Sequence, residues 1–225
     1  MRRLRRALIV MAKRPEPGVT KQRLVPRLSP DEAARLYECF LLDTLDLARS
    51  LSDVKSFVAV LPVQADAYFR RVAPDISHVT QVGETLGERL DHVLTHCLTA
   101  GFDHVAAIGS DVPTLPAWHV TKAFDLLADE AVDMVLGPSE DGGYHLIAWK
   151  RPYPRLVRPV QMSTSRVLAD TLDLAKSDGV RVALLPRWYD VDEPEDLERL
   201  EAEIRSGSPL ASHTSRFFER GDRSD

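Results

Sequence analysis

Two hydrophobic patterns alternate along the chain. Short runs of consecutive apolar residues predict buried strands, and longer segments with apolar residues at every third or fourth position predict amphipathic helices. The predicted strands, of which 78–82 has the weakest pattern, are 7–12, 56–61, 78–82, 104–108, 133–138, 145–149 and 180–185. The predicted helices are 30–50, 64–72, 85–99, 117–128, 164–178 and 194–204. This alternation predicts an α/β fold with a mixed, mainly parallel sheet covered by helices on both faces.

Local signals mark where several of these elements begin. Ser29-Pro-Asp-Glu32 is a capping box with proline at the first helical position. Ser163 is predicted to cap the helix over 164–178. The turn Asp141-Gly142-Gly143 permits positive φ and predicts one antiparallel strand in the sheet.

The chain is predicted to form one domain over residues 1–205. It contains no repeat at a fixed period and no linker long enough to divide it. From residue 206 onward serine, glycine, arginine and aspartate dominate. We therefore expect residues 206–225 to be a mobile C-terminal tail.

Composition excludes several classes of protein. The net charge of −5 argues against a general nucleic-acid binder, which is normally basic. Cys39 and Cys97 lie far apart, which favours reduced thiols in a cytoplasmic protein over a disulfide framework or a zinc site. No apolar run approaches the roughly 18 residues of a membrane span. The apolar segment after the N-terminal arginines has only about six residues, too few for a secretory signal.

An acid follows the predicted strand at 104–108. Gly109, Ser110, Asp111 and Pro113 come directly after this apolar run. In an open α/β sheet, ligands bind at the carboxyl ends of the strands. Asp111 either caps the following turn with its own side chain or holds a divalent metal against a diphosphate.

A basic loop follows the first predicted strand. It carries Lys13, Arg14, Lys21 and Arg23 around Gly18, and it lacks both a Walker A motif and a GxGxxG motif. Such a loop is either a solvated charge run or a cradle in which backbone amides and cations bind phosphates.

Two further acids, Asp190 and Asp192, follow the strand at 180–185. Either could cap the last helix. Alternatively, one of them could join Asp111 around Mg²⁺ or Mn²⁺, which prefer carboxylate and phosphate oxygens. Lys21 and Arg23 would then neutralise a leaving phosphate. This constellation favours transfer at an activated phosphate or at a sugar anomeric carbon.

For the remaining candidate residues, a structural role explains the sequence at least as well as a functional one. Gly142 and Gly143 fit a hairpin turn, although they would also allow a sugar or a small acceptor to approach the backbone. Glu88 and Arg89 are predicted as solvent-facing charges, and His145 as a structural residue.

Several of these motifs resemble one known family. They are Lys13-Arg-Pro-Glu-Pro-Gly18, Lys21-Gln-Arg-Leu24, Gly109-Ser-Asp-Val-Pro113, Gly137-Pro138, Asp141-Gly-Gly-Tyr144 and Asp190-Val-Asp-Glu-Pro-Glu-Asp-Leu197. Together they resemble bacterial glycosyltransferase-A-like proteins described as nucleotide-diphospho-sugar transferases, one branch of which is associated with arsenosugar biosynthesis. The chain is more distantly similar to the guanylyltransferases that act on 2-phospholactate and on the molybdenum cofactor. The resemblance covers about residues 7–204.

The resemblance implies a Rossmann-like GT-A fold and a set of site residues. Asp111 and Asp190 would ligate the metal, with Asp192 the less favoured ligand. Lys13, Gly18, Lys21 and Arg23 would bind the nucleotide phosphates, and Gly142 and Gly143 would line the acceptor or sugar pocket. The chain departs from the family pattern at Gln22 and Glu193, where threonine is usual, and at Met162, where tryptophan is usual.

Three functions follow as hypotheses. The first is a metal-dependent glycosyltransferase that uses a nucleotide-diphosphate sugar and a small acceptor. The second is a nucleotidyltransferase that activates a small phosphorylated substrate and releases pyrophosphate. The third is a nucleotide-binding protein without catalytic activity. The sequence does not determine the base, the sugar, the acceptor or the oligomeric state.

Overall fold

Within the residues that the structure describes, seven strands form one mixed sheet. A computed structural model describes residues 3–207 and 209–221. The strands are β1 (Arg6–Lys13), β2 (Val54–Leu61), β3 (Ser77–Thr80), β4 (His104–Gly109), β5 (Met134–Pro138), β6 (Tyr144–Trp149) and β7 (Val182–Leu184). Their order is β3-β2-β1-β4-β6-β5-β7. Only β6 runs antiparallel to its neighbours, β4 and β5. The predicted sheet, with a single antiparallel strand after the glycine turn, is confirmed.

Helices cover both faces of this sheet. They are α1 (Pro30–Ser50), α2 (Asp66–Val72), α3 (Leu86–Thr99), α4 (Ala117–Leu127), α5 (Pro154–Val157), α6 (Val167–Ser177), α7 (Pro194–Arg205) and α8 (Ser212–Gly221). One face packs against α1, α2 and α4, and the other packs against α3, α5 and α6. In the described part of the chain, no helix is both long enough and apolar enough to cross a membrane.

Strand β1, which lies between β2 and β4, shows why a strand inside the sheet has an apolar sequence. Leu8 and Val10 belong to the core on the α1 side, whereas Ala7 and Ile9 belong to the core on the α3 side. Side chains of a strand alternate between the two faces, and here both faces are buried. A strand covered on both sides therefore reads as an unbroken apolar run.

The start of α1 is as the sequence predicts, but the start of α6 is not. At α1, Ser29 and Glu32 form both hydrogen bonds of the capping box. Ser163 does not cap α6, because this helix begins only at Val167, after Arg166. Ser163 instead has a φ of 66° within a turn. The prediction of a capping role for Ser163 is therefore wrong.

The segment after residue 206 contains a helix, so the prediction of a mobile tail needs correction for the residues of α8. The buried side chain of Asp43 accepts hydrogen bonds from the backbone N–H groups of His213 and Thr214 and from the Thr214 hydroxyl. Phe217 and Phe218 pack against the apolar cluster between α1 and α7. These contacts fix α8 against α1. Residue 208 and residues 222–225 of the predicted tail lie outside the described residues.

Candidate functional site

The candidate site lies at the carboxyl edge of the sheet. β4 ends at Gly109, and Asp111 follows two residues later. The backbone N–H of Val191 donates a hydrogen bond of 3.0 Å to the Asp111 carbonyl oxygen. An isolated parallel β-bridge between Ser139 and Trp188 pairs the segment after β7 with the end of β5. Segments far apart in sequence therefore meet where the parallel strands end.

Three carboxylates converge at this edge. Asp111, Asp190 and Asp192 each offer an oxygen atom, and these atoms all lie within 4.8 Å of one another. All three residues are partly buried. The acids that the sequence separates by almost eighty positions thus form one cluster, of a kind that suits a hard divalent cation.

Lys21 is the cation that contacts this cluster. Its Nζ lies 3.2 Å from Oδ2 of Asp111 and also donates a hydrogen bond to Oδ1 of Asp192. The side chain is only 7% exposed. Burial alone would lower the pKa of Lys21, but the two carboxylates outweigh it, so the pKa is raised above its ordinary value. Lys21 is therefore protonated and is not a freely solvated charge.

The two acids after β7 differ in their electrostatics. Burial raises the pKa of Asp192, but the charge and hydrogen bond of Lys21 outweigh this, so its pKa is lowered. The pKa of Asp190 is raised to about 7, first by burial and then by the charges of Asp111, Asp141 and Asp192. Because Lys21 contacts Asp111 and Asp192 instead, the ionised form of Asp190 is disfavoured, and a bound cation would stabilise it. The carboxylate donor set therefore fits a hard divalent cation.

The basic loop places its other charges differently. Arg23 donates to Oε1 of Glu193 at 3.0 Å, and both side chains are about half exposed. Lys13 is exposed and contributes, with Arg23, to the lowered pKa of Asp192. Gly18 is exposed with a φ of 72° and has open space around it. Lys21 thus contacts two of the acids, and the charges of Lys13 and Arg23 act on Asp192, whereas Gly18 has only open space where a side chain would be.

The glycine turn lies close to the cluster. The charge of Asp141, in this turn, is one of the causes that raise the pKa of Asp190. Asp141 accepts a hydrogen bond of 2.8 Å from the backbone N–H of Gly143. A Cβ on Gly142 would lie 2.1 Å from the carbonyl oxygen of Ser165. Glycine is therefore required at position 142 because the Ser165 carbonyl group leaves no room for a side chain, in addition to any role that Gly142 has toward a ligand.

Tyr37 joins two parts of the candidate site, a role that could not be predicted from its position in the sequence. Its hydroxyl lies 2.7 Å from the Ser110 hydroxyl and accepts a hydrogen bond of 3.1 Å from the backbone N–H of Lys13. Both Tyr37 and Ser110 are buried. On the sequence, Tyr37 is one more apolar position of α1, and only its phenol oxygen could have suggested a polar partner.

A second tyrosine supports the acids after β7. Tyr189 donates a hydrogen bond of 2.5 Å to Oε2 of Glu203 and accepts one of 3.3 Å from the Thr114 hydroxyl. The guanidinium of Arg199 lies 3.9 Å from its ring centroid. Thr114 follows Asp111 by three positions, and Tyr189 directly precedes Asp190. This network therefore fixes the two acidic segments relative to each other.

Glu88 and Arg89 are not the purely solvent-facing charges that we predicted. The Glu88 carboxylate accepts hydrogen bonds from the backbone N–H groups of Glu84 and Thr85. Arg89 donates to the carbonyl oxygens of Gly83 and Glu84, at 2.9 Å each. Their side chains determine the shape of the loop between β3 and α3.

Gln81 ties this loop to the central strands. Its side-chain amide donates to the carbonyl oxygens of Ala12, at 3.0 Å, and Ala59, at 2.8 Å. Ala12 directly precedes Lys13, at the end of β1. The loop between β3 and α3 therefore lies next to the basic loop at the edge of the sheet.

Solved structures are similar to this chain over nearly its full length. A crystal structure from Desulfovibrio desulfuricans G20, described as a "putative nucleotide-diphospho-sugar transferase", is 29% identical with a TM-score of 0.89, covering 98% of this chain and 96% of that chain. The fold is thus that of a nucleotide-diphospho-sugar transferase, a single α/β domain, as the sequence resemblance implies.

More distant structures share the fold alone. The 4-diphosphocytidyl-2C-methyl-D-erythritol synthase of Anaerococcus prevotii DSM 20548 is 11% identical with a TM-score of 0.60, covering 90% of this chain and 96% of that chain. CMP:2-keto-3-deoxy-manno-octonic acid synthetase in complex with CTP is 13% identical with a TM-score of 0.55, covering 90% and 99%.

No curated protein matches this chain in sequence. One bacterial family does: its profile matches residues 44–164, more than half of the chain, which include β4 and Asp111 as well as the glycine turn. The chain belongs to the family described as "Uncharacterized protein conserved in bacteria (DUF2064)".

Proposed function

We propose that this chain is a metal-dependent transferase that moves a sugar from a nucleotide-diphosphate sugar to a small acceptor. The observation that carries the proposal is the convergence of Asp111, Asp190 and Asp192 around one point, with the Lys21 ammonium against two of them. The name of the similar Desulfovibrio protein supports the transferase class and the nucleotide-diphosphate donor.

The three acids would hold Mg²⁺ or Mn²⁺, with Asp111 as the central ligand and Asp190 favoured over Asp192. When bound, this cation would supply Lewis-acid stabilisation of the donor's phosphate oxygens. Asp190 suits this role because its charge is not balanced by Lys21. Asp192 is held by Lys21 and would contribute less.

The cations of the basic loop would act on the leaving group. As the bond between the sugar and the phosphate breaks, negative charge builds up on the departing nucleoside diphosphate. The Lys21 ammonium, the Arg23 guanidinium and Lys13 lie around the acids and would stabilise that charge. Gly143 and the adjoining turn would form the side of the pocket that receives the sugar or the acceptor.

A second candidate is nucleotidyl transfer to a small phosphorylated substrate. It uses the same elements, since a divalent cation and a lysine stabilise a departing pyrophosphate as well as a departing nucleoside diphosphate. The shared fold with cytidylyltransferases makes this the reaction to test alongside the first.

The test begins with a thermal-shift screen of nucleotides and nucleotide sugars, with and without Mn²⁺. A ligand of the native state should raise the unfolding midpoint. Turnover with the selected ligand is then measured by its product: a nucleoside diphosphate indicates glycosyl transfer, and pyrophosphate indicates nucleotidyl transfer. Asp111→Asn should abolish turnover, whereas the exposed control Asp173→Asn should retain it. A screen in which no nucleotide raises the midpoint would refute both candidates.

A further inference from the structure

Among the side chains that the structure describes, Lys21 provides the positive charge in contact with the acid cluster. The Lys21 ammonium is bonded to Asp111 and to Asp192, and the side chain is almost completely buried. Oxygen atoms of these same two carboxylates belong to the set within 4.8 Å that could hold a metal ion. Lys21 and a divalent cation would therefore draw on the same two carboxylates.

The two cations cannot both bind these carboxylates closely without repelling each other. An ammonium and a divalent ion separated by the width of one carboxylate repel strongly in a partly buried site, where solvent screens charges weakly. If the two cations compete, the arrangement with Lys21 on both acids is one of two states. The other has the metal ion on the acids and the ammonium displaced from at least one of them.

The chain allows this displacement without moving the loop. Leu24, three residues after Lys21, is fully buried in the cluster with Leu36 and Phe40, which anchors the backbone. The lysine side chain, in contrast, is a flexible four-carbon stem with a compact charge. Displacement of the ammonium would therefore proceed by rotation about the side-chain bonds of Lys21, with the backbone held in place.

We propose that Lys21 is an internal counter-cation that competes with the divalent cation for Asp111 and Asp192, and that its release by the metal frees it to bind phosphate. This inference rests on the proposed function and adds a thermodynamic coupling to it. The metal ion binds weakly alone because it must displace Lys21. A phosphate ligand that accepts the released ammonium strengthens metal binding, and by reciprocity the metal strengthens phosphate binding.

The test measures Mn²⁺ binding in the absence of any nucleotide, by calorimetry and by the electron paramagnetic resonance signal of free Mn²⁺. Lys21→Met removes the charge and keeps most of the stem, so it should bind Mn²⁺ about tenfold more tightly than the unaltered chain. Arg23→Met is the matched control. It removes the same charge near Asp192 without removing a contact to the metal-binding acids, and should change the affinity by less than about threefold.

Two further variants exclude a general charge effect. Lys21→Arg keeps the charge and should bind Mn²⁺ no more tightly than the unaltered chain. In an Asp192→Asn background, where one of the two shared carboxylates is gone, Lys21→Met should strengthen Mn²⁺ binding less than it does alone. Unfolding midpoints in EDTA establish that each variant is folded.

The outcomes separate this inference from the proposed function. If the unaltered chain binds Mn²⁺ and Lys21→Met binds it equally or less tightly, Lys21 is not a competitor and the inference is overturned while the metal site stands. Equal gains for Lys21→Met and Arg23→Met would also overturn it, since they would indicate bulk electrostatics. If neither the unaltered chain nor any variant binds Mn²⁺, both the inference and the metal-dependent function fail.

Discussion

The Tyr37 hydroxyl lies 2.7 Å from the Ser110 hydroxyl and accepts a hydrogen bond from the backbone N–H of Lys13. One buried side chain of α1 therefore joins the turn that carries Asp111 to the start of the basic loop. Its position beneath the site suggests a positioning role, since it orients both segments without itself offering a charge to a ligand.

Removing this hydroxyl should affect both stability and ligand binding. Tyr37→Phe leaves the Lys13 N–H and the Ser110 hydroxyl without their partner, which should lower the free energy of unfolding by about 1–3 kcal/mol. Urea unfolding measures this loss, and a titration with Mn²⁺ and nucleotide measures the accompanying loss of affinity. Tyr68→Phe is the control, because the Tyr68 hydroxyl donates to Glu38, whereas the Tyr37 hydroxyl contacts Ser110 and Lys13. It should leave affinity unchanged, and equal losses of affinity would contradict a specific role for Tyr37.

Two glycines with positive φ provide a matched pair. Gly142 has a φ of 90°, and a Cβ there would lie 2.1 Å from the Ser165 carbonyl oxygen. Gly179 has a φ of 67° and open space around it. Gly179→Ala should cost about 1–2 kcal/mol of stability from backbone strain alone. Gly142→Ala should cost about 3 kcal/mol or more, because overpacking adds to the strain. Equal costs in urea unfolding would show that the turn around Ser165 gives way easily.

Much of the fold follows from local patterns. The apolar run at 7–12 became β1, and the capping box at Ser29 became the start of α1, because both signals depend on residues that are adjacent or one turn apart. Ser163 shows the limit of such reasoning. A serine before an apolar helical pattern satisfies the usual cap signal, but the turn that packs on Gly142 uses this residue in a left-handed conformation instead.

The acids of the candidate site could be predicted from the sequence, but the contacts between its charged residues could not. That acids at strand ends would meet follows from the geometry of a parallel sheet, and Asp111, Asp190 and Asp192 do so. The partners of Lys21 lie 90 and 171 positions away. No local signal distinguishes a lysine buried between two such distant acids from its exposed neighbour Lys13. The role of Tyr37 could not be predicted either, because its partners Lys13 and Ser110 are also distant in the sequence.

The ion pair between Asp133 and Arg181, which directly precede β5 and β7, predicts that the stability of the fold depends on pH. The Asp133 carboxylate is nearly buried and accepts hydrogen bonds from both Nε and Nη2 of Arg181, which lowers the pKa of Asp133 to about 2. Asp133→Asn should therefore reduce the urea midpoint at about pH 7. Because the folded-state pKa is depressed, the ionised form stabilises the fold above the unfolded-state pKa. This contribution is lost as the pH falls toward 2.

The difference between the unaltered chain and Asp133→Asn should accordingly shrink between about pH 5 and pH 2.5. Urea midpoints of both chains at several pH values across this window measure it. Asp173→Asn, on the exposed side of α6, controls for general charge effects. A difference that stays constant down to the lowest pH at which the chain folds would show that Asp133 acts through shape and not through its charge.

The docking of α8 depends on one buried acid. Asp43 bonds the first backbone N–H groups of the helix and the Thr214 hydroxyl. Asp43→Ala should lower stability by about 1–2 kcal/mol, as the loss of a helix cap does. It should also expose the chain near residue 211 to limited proteolysis. Asp173→Ala, which removes an exposed acid of α6, should produce neither effect, and equal cleavage of both variants would contradict the assigned role of Asp43.

Asp190 should destabilise the chain when no cation is bound. Its carboxyl group is partly buried beside Asp111, Asp141 and Asp192, and this environment disfavours its ionised form. Asp190→Asn removes one charge from the cluster and keeps the shape of the side chain. In EDTA at about pH 8, the variant should unfold about 2–4 °C above the unaltered chain. Mn²⁺ should then raise the midpoint of the unaltered chain and not that of the variant, because the variant has lost a ligand. Asp173→Asn should change neither value. A lower midpoint for Asp190→Asn in EDTA would mean that the ionised carboxylate is held by favourable contacts, and the disfavoured ionisation assigned to this position would be wrong.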